Sequence, residues 1–357
     1  MKKTNKQRQS SKSLIVLIVL TAILMISSSY AWFTSNQTVT VDPIQVQVNA
    51  TNGLQISYNA FDWSAKVTAA QLKTAVDNGY DGAKNYLPAV MLPASSPKRV
   101  LTSDTGRLEI YKGDVETDED TGEYYLTTAL LSDETQMRQT DPSNPDATEG
   151  YYIVFDIFLK LDLPSKVYLK STSNVTYAGD RSRGLENAAR VAFVNLGNVN
   201  ADSPSDAQSL ATSSNAAINI WEPNYDVHTA TGAQNGISVY GHAGLGLTGQ
   251  ERLPYRAVSK AFSDVNIKQT DETHDTANNF TNVTVDLATP KTNTTNLAFP
   301  VLNTYDDPAD GSTDLVMKSG ITKLRVYMWI EGQDVDCENN ASGTSINYTF
   351  DITKLSS

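Results

Sequence analysis

Carboxylates are the side chains of this sequence whose crowding comes nearest to chemistry. Glu331, Asp334, Asp336 and Glu338 fall in one short stretch, and Asp306, Asp307, Asp310 and Asp314 in another. Carboxylates this close repel unless water or a hard cation such as Ca²⁺ lies between them. Glu331, Asp334 and Asp336 are therefore candidate calcium ligands, with solvated loop acids as the alternative. Neither stretch has EF-hand spacing, since counting from Asp306 the third position is Pro308 and the twelfth Met317. The histidines, His228, His242 and His274, begin no H-E-x-x-H pair, and no G-x-S-x-G elbow accompanies the acids Asp271, Glu272 and Asp275 around His274. Cys337 lies among Asp334, Asp336 and Glu338, whose charge opposes thiolate formation. As the single cysteine it also excludes an intrachain disulfide and a multi-cysteine metal site. Gly244-Leu245-Gly246-Leu247-Thr248-Gly249 has dinucleotide-binding spacing, but Pro254 stops a helix from following and no parallel βαβ unit surrounds it. It reads as a surface loop, and no organic cofactor is expected.

Charge is divided unevenly over the 357 residues, which carry 28 basic and 40 acidic side chains. Lys2, Lys3, Lys6, Arg8 and Lys12 lie in the first 31 positions, which hold no acid, so the remainder has 23 basic residues against 40 acidic and a net charge of -17. A body this acidic repels nucleic acid and anionic lipid. Leu14 to Ile26 then form an uncharged apolar run of 13 residues, followed by Ser29-Tyr30-Ala31. Basic region, apolar region and small residues make the pattern of a secretory signal, with cleavage expected between Ala31 and Trp32. The alternative is an anchor retained in the membrane: residues 14–33 as a helix would span about 30 Å, with Tyr30, Trp32 and Phe33 at the interface. Either way, residues 32–357 are expected outside the cytoplasmic membrane, at the cell surface or extracellular, because the lysines stay inside.

The elements that would position any site are strands. Ile44, Val46 and Val48 alternate with polar residues, as do Leu54, Ile56 and Tyr58, Leu324 to Ile330, and Ile346 to Ile352. This period of two marks half-buried antiparallel strands. Tyr151 to Leu163 is the longest such run, apolar at every odd position, with Asp156, Lys160 and Asp162 among the even ones. Further strands read at Leu108–Tyr111, Tyr124–Thr127, Val167–Lys170, Arg190–Asn195, Ile237–Tyr240 and Val283–Leu287, with a hairpin turn at Asp118 to Gly122. Helix is scarce. Thr68 and Gln71 have capping-box spacing ahead of Leu72, Ala75 and Val76, with a stop at Asn78-Gly79, and a second short helix reads at Tyr255–Phe262. Polar loops are expected at Ser132–Gly150, Asn198–Ala217 and Asp264–Asn282, and a boundary between two sub-domains, if there are two, falls near 198–217. Many strands without a βαβ rhythm predict an all-β fold, an antiparallel sandwich of Greek-key or jelly-roll type with one or two short helices and a hydrophobic N-terminal helix.

Ala31-Trp32-Phe33, the polar stretch Thr34 to Thr38 and the strand from Ile44 resemble the start of Gram-positive surface and matrix proteins related to camelysin and the biofilm-matrix fibre subunits. Trp32 stands where phenylalanine is commoner in that family. Tyr30-Ala31-Trp32-Phe33-Thr34 and the later Trp329-Ile330-Glu331-Gly332-Gln333-Asp334 are also similar to a broader group of exported β-rich clostridial proteins. The resemblance implies an exported jelly-roll domain that assembles by donating its N-terminal segment into a neighbour's sheet. Thr38, Val39, Val41, Ile44, Val46 and Val48 would be the donated residues. Some camelysin-type members are described as metalloproteases, and no zinc motif supports carrying that activity over.

The expectation is thus a non-enzymatic exported structural protein of the cell surface or extracellular matrix, self-associating through its first strand. One rival is a surface module binding carbohydrate through exposed aromatics, with Trp63, Trp221 and the alternating pair Tyr327 and Trp329 as candidates. Another is a hydrolase whose carboxylates come together only in the fold.

Overall fold

The computed structural model describes residues 39–221 and 315–354, short breaks excepted, and the pair 267–268. Within them lie eighteen strands and two α-helices. Strands β1 (Val39–Val41), β2 (Gln45–Val48), β3 (Leu54–Ser57) and β4 (Lys66–Thr68) precede helix α1 (Ala69–Asp77). Then come β5 (Val90–Met91), β6 (Tyr111–Thr117), β7 (Tyr124–Leu130), β8 (Met137–Gln139) and β9 (Thr148–Gly150). Strands β10 (Tyr152–Leu161), β11 (Ser165–Leu169), β12 (Asn174–Ala178) and β13 (Ala189–Val199) lead to helix α2 (Pro204–Ser209) and β14 (Ala217–Trp221). β15 (Ile267–Lys268), β16 (Leu315–Met317), β17 (Gly320–Ile330) and β18 (Thr344–Lys354) complete the set. The protein is all-β.

Five strands form one antiparallel sheet in the order β14-β13-β17-β10-β3. A ten-stranded sheet is organised around β18, which takes β12 and β11 antiparallel on one side and β1 and β2 parallel on the other. Pairings β5–β9 and β15–β7 are also parallel, a refinement of the wholly antiparallel expectation. Period-two alternation fixes which residues face inward and leaves partner and direction open.

One apolar core is shared by the two sheets. Ile44, Val46, Ile346, Phe350 and Ile352 of the larger sheet are buried with Phe155, Ile157, Val191, Phe193, Val326 and Met328 of the smaller. The ring of Phe350 lies 5.8 Å from those of both Phe193 and Trp221. The opposite face of the five-stranded sheet is covered as well, by Ala94, Leu108, Ile110 and Leu131 over Tyr152, Val154, Tyr327 and Trp329, and by Ala60 and Ala207 over Phe158 and Ile321. It is therefore a middle layer. Gly320 opens β17 at φ +104, where an added Cβ would stand 2.1 Å from the Val199 carbonyl oxygen, so the β13–β17 approach requires glycine there.

The expected helix is α1, and its capping box is formed. The Thr68 backbone N–H donates to Gln71 Oε1 at 2.9 Å and the Gln71 N–H to Thr68 Oγ1 at 3.4 Å. All three stretches read as loops contain structure: 132–150 the β8–β9 hairpin, 198–217 helix α2, and 264–282 the two-residue strand β15. The strands read at 237–240 and 283–287, the turn at 118–122, the helix at 255–262 and the N-terminal apolar helix lie outside the described residues. Among the described residues, no helix is long and apolar enough to cross a membrane.

Candidate functional site

The segment expected to be donated is seated inside the chain's own sheet. β1 runs parallel to β18, with Val39 opposite Thr344 and Val41 opposite Ile346, and antiparallel to β5 on its other side. β2 continues along β18, with Gln45 opposite Thr349 and Val48 opposite Ile352, and pairs antiparallel with β4 through Gln45–Thr68 and Gln47–Lys66. Both edges of the segment are thus hydrogen-bonded. Ile44, Val46 and Val48 are buried in the shared core, while Gln45 faces out and its Oε1 accepts from Lys66 Nζ at 2.9 Å. From Val41 to Gln45 the segment uses three intervening residues where β18 uses two. The register along β18 therefore shifts by one residue between β1 and β2, and Pro43, which has no N–H to give a ladder, lies in the intervening sequence. Thr38, Ala31 and Trp32 lie outside the described residues.

The other sequence candidates are placed differently. Glu331 does not stand free in an acidic loop: it is buried at the end of β17, where Oε2 accepts from Trp329 Nε1 at 3.1 Å and from the Ser96 N–H at 3.3 Å. Those donors hold a carboxylate oxygen that a calcium ion would otherwise use. Asp334 and Asp336, the other expected ligands, lie outside the described residues, as do Asp306 to Asp314 and all three histidines. Among the described residues no group of three or more His, Cys, Asp or Glu side chains could hold a metal. Cys337 is buried, in no disulfide, and packed into the shared core.

Tyr327, Trp329 and Trp221 are buried, which corrects the reading of Tyr327 and Trp329 as an exposed pair. Their alternation with the apolar Val326 and Met328 had suggested an outer face, but a further layer covers it. Trp63 is half-buried, with Lys160 Nζ 5.4 Å from its ring centroid.

Sequence reasoning missed a buried ion cluster on that covered face. Asp156, Lys323 and Arg325 are 0%, 1% and 5% exposed. Arg325 grips the carboxylate in two places, Nε to Oδ1 at 2.8 Å and a terminal nitrogen to Oδ2 at 3.0 Å. Lys323 Nζ stands 3.4 Å from Asp156 Oδ2 and donates to the carbonyls of Gln208 and Leu210, each at 2.8 Å. Burial pushes the Lys323 ammonium below its ordinary pKa, against the pull of Asp156. The arrangement ties the C-terminal end of α2 to the sheet. Its sequence signal was the presence of opposite charges inside two long apolar strands.

Comparison with protein-family models, curated proteins and solved structures finds no match to this chain.

Proposed function

We propose that this chain is a non-enzymatic, exported structural protein of the cell surface or extracellular matrix, in which the segment from residue 38 to residue 48 is the assembly element. One observation carries the reading: the segment that follows the export signature is an inner strand, bonded along both edges and filling the shared core through Ile44, Val46 and Val48. Withdrawing it would expose unpaired backbone on β18 and a gap in the core. An identical segment from a second copy would repair both by making the same contacts. The acidic body remains soluble until that exchange. If residues 14–33 stay attached the assembly is tethered to the membrane, and if they are removed it is released.

Comparison of the body starting at Trp32 with a form starting at Ala50 tests this. The longer form is expected to give regular particles by electron microscopy. The shorter form is expected to give none by itself, and to take up a peptide of residues 38–49. Identical particles from both forms would refute strand donation. Sequencing the N-terminus of the native protein separates release, with Trp32 first, from tethering, with Met1 first.

A further inference from the structure

The parallel pairing of the terminal strands sets how the fold meets tension. β1 and β2 enter the sheet at one end of β18, and β18 leaves it at the other, so Val39 and Lys354 stand at opposite ends of the paired block. A pull on the chain ahead of β1 against a pull on the chain after β18 therefore runs along both strands in opposite directions. The inter-strand bonds of Val39–Val41 and Gln45–Val48 lie across that line and are loaded together in shear. In an antiparallel pair both ends of the chain would leave on the same side, and the bonds would open one after another.

Three further features resist sliding. The segment is bonded on its second side to β4 and β5. Ile44, Val46 and Val48 are buried and must leave the core before the strand moves. β18 is itself held on its far side by β11 and β12, so load passes into the sheet.

From this we infer that the pair of β18 with β1 and β2 is a clamp that lets the fold carry tension applied between the chain ahead of β1 and the chain after β18. This goes beyond the assembly proposal and does not require it, because the clamp closes within one chain. Supplied by a second copy, the same segment would place the same shear geometry between subunits.

Single-molecule pulling on monomeric body tests the clamp. One handle is placed ahead of Phe33 and the other after Ser357. The reference geometry moves the second handle to Ser342→Cys in a Cys337→Ala background, at the end of β18 where β1 enters. Pulling at opposite ends is expected to need at least about twice the force of pulling at the same end, with the body giving way in one step. Equal forces would overturn the clamp, as would early release of roughly 35 Å of chain, the extended length of residues 39–48, before the body yields. The Ala50 truncation judges strand donation separately. Particles that need the segment alongside equal forces would leave assembly standing and remove the clamp, and the reverse outcome would do the opposite.

Discussion

The two sheets bury their residues by different rules. On β18, Ile346, Tyr348, Phe350 and Ile352 are buried, as are Asp351 and Thr353 near its end, while Ser345, Asn347 and Thr349 are half-exposed. Every residue of β17 is buried, including Lys323 and Arg325. In the larger sheet, the outer face of β18 is half-exposed along residues 345–349, and parallel pairs join β18 to β1 and β2, the first described strands. The smaller is a sealed middle layer whose strands are all antiparallel. Exchange of a strand is chemically simpler in the first, where β1 and β2 themselves carry only apolar and neutral polar residues. In the second, displacing β10 or β17 would uncover the cluster of Asp156, Lys323 and Arg325.

That contrast is broken most directly at Asp156. Asp156→Ala removes the carboxylate between two buried cations and is expected to cost about 3–5 kcal/mol, or to prevent folding. Urea denaturation reads the loss, and Asp156→Asn, which keeps the shape, should recover part of it. A loss below about 1 kcal/mol would mean that water reaches the cluster. Val46→Ala, in β2, is expected to cost about 2 kcal/mol through the cavity it leaves. It should also lower the force at which the terminal strand yields. A drop in stability with no drop in force would separate packing from load bearing.

Smaller effects sharpen the same picture. Thr68→Ala breaks the capping box where β4 passes into α1 and should cost about 1 kcal/mol by thermal melting. Arg138→Ala removes the exposed partner of a contact from edge strand β8 to Glu149 on the neighbouring β9, 2.6 Å in the folded chain, and is expected to leave the denaturation midpoint unchanged. A measurable loss there would show that the sheet edge contributes more than its exposure allows.

Much of this was legible in the residues. The alternation of Ile346 to Ile352 and of Ile44 to Val48 named the strands and their inner faces, and Thr68 with Gln71 named the helix start. Asp156 misled because a charge at an even position reads as solvent-facing, while its partners Lys323 and Arg325 lie far along the sequence and pairing leaves no local trace. Tyr327 and Trp329 misled for the same reason, since the layer over them comes from residues 94–131. Helix α2 had a signal that went unused: Ser203-Pro204 followed by Asp206 places proline at the first turn with an acid beside it. Parallel pairing of first and last strands was beyond reach, because periodicity says nothing about neighbours.

The register shift between β1 and β2, three intervening residues of the segment against two of β18, works as a notch. Apolar residues occupy 39 and 41 and then 44, 46 and 48, a change of parity that suits a pleat interrupted at this one point. Slide the segment by one position and its valines turn toward water; slide it by two and the interruption meets regular pleat. Whichever molecule contributes it, the piece can be inserted to a single depth, so every junction in a chain of copies would have the same length.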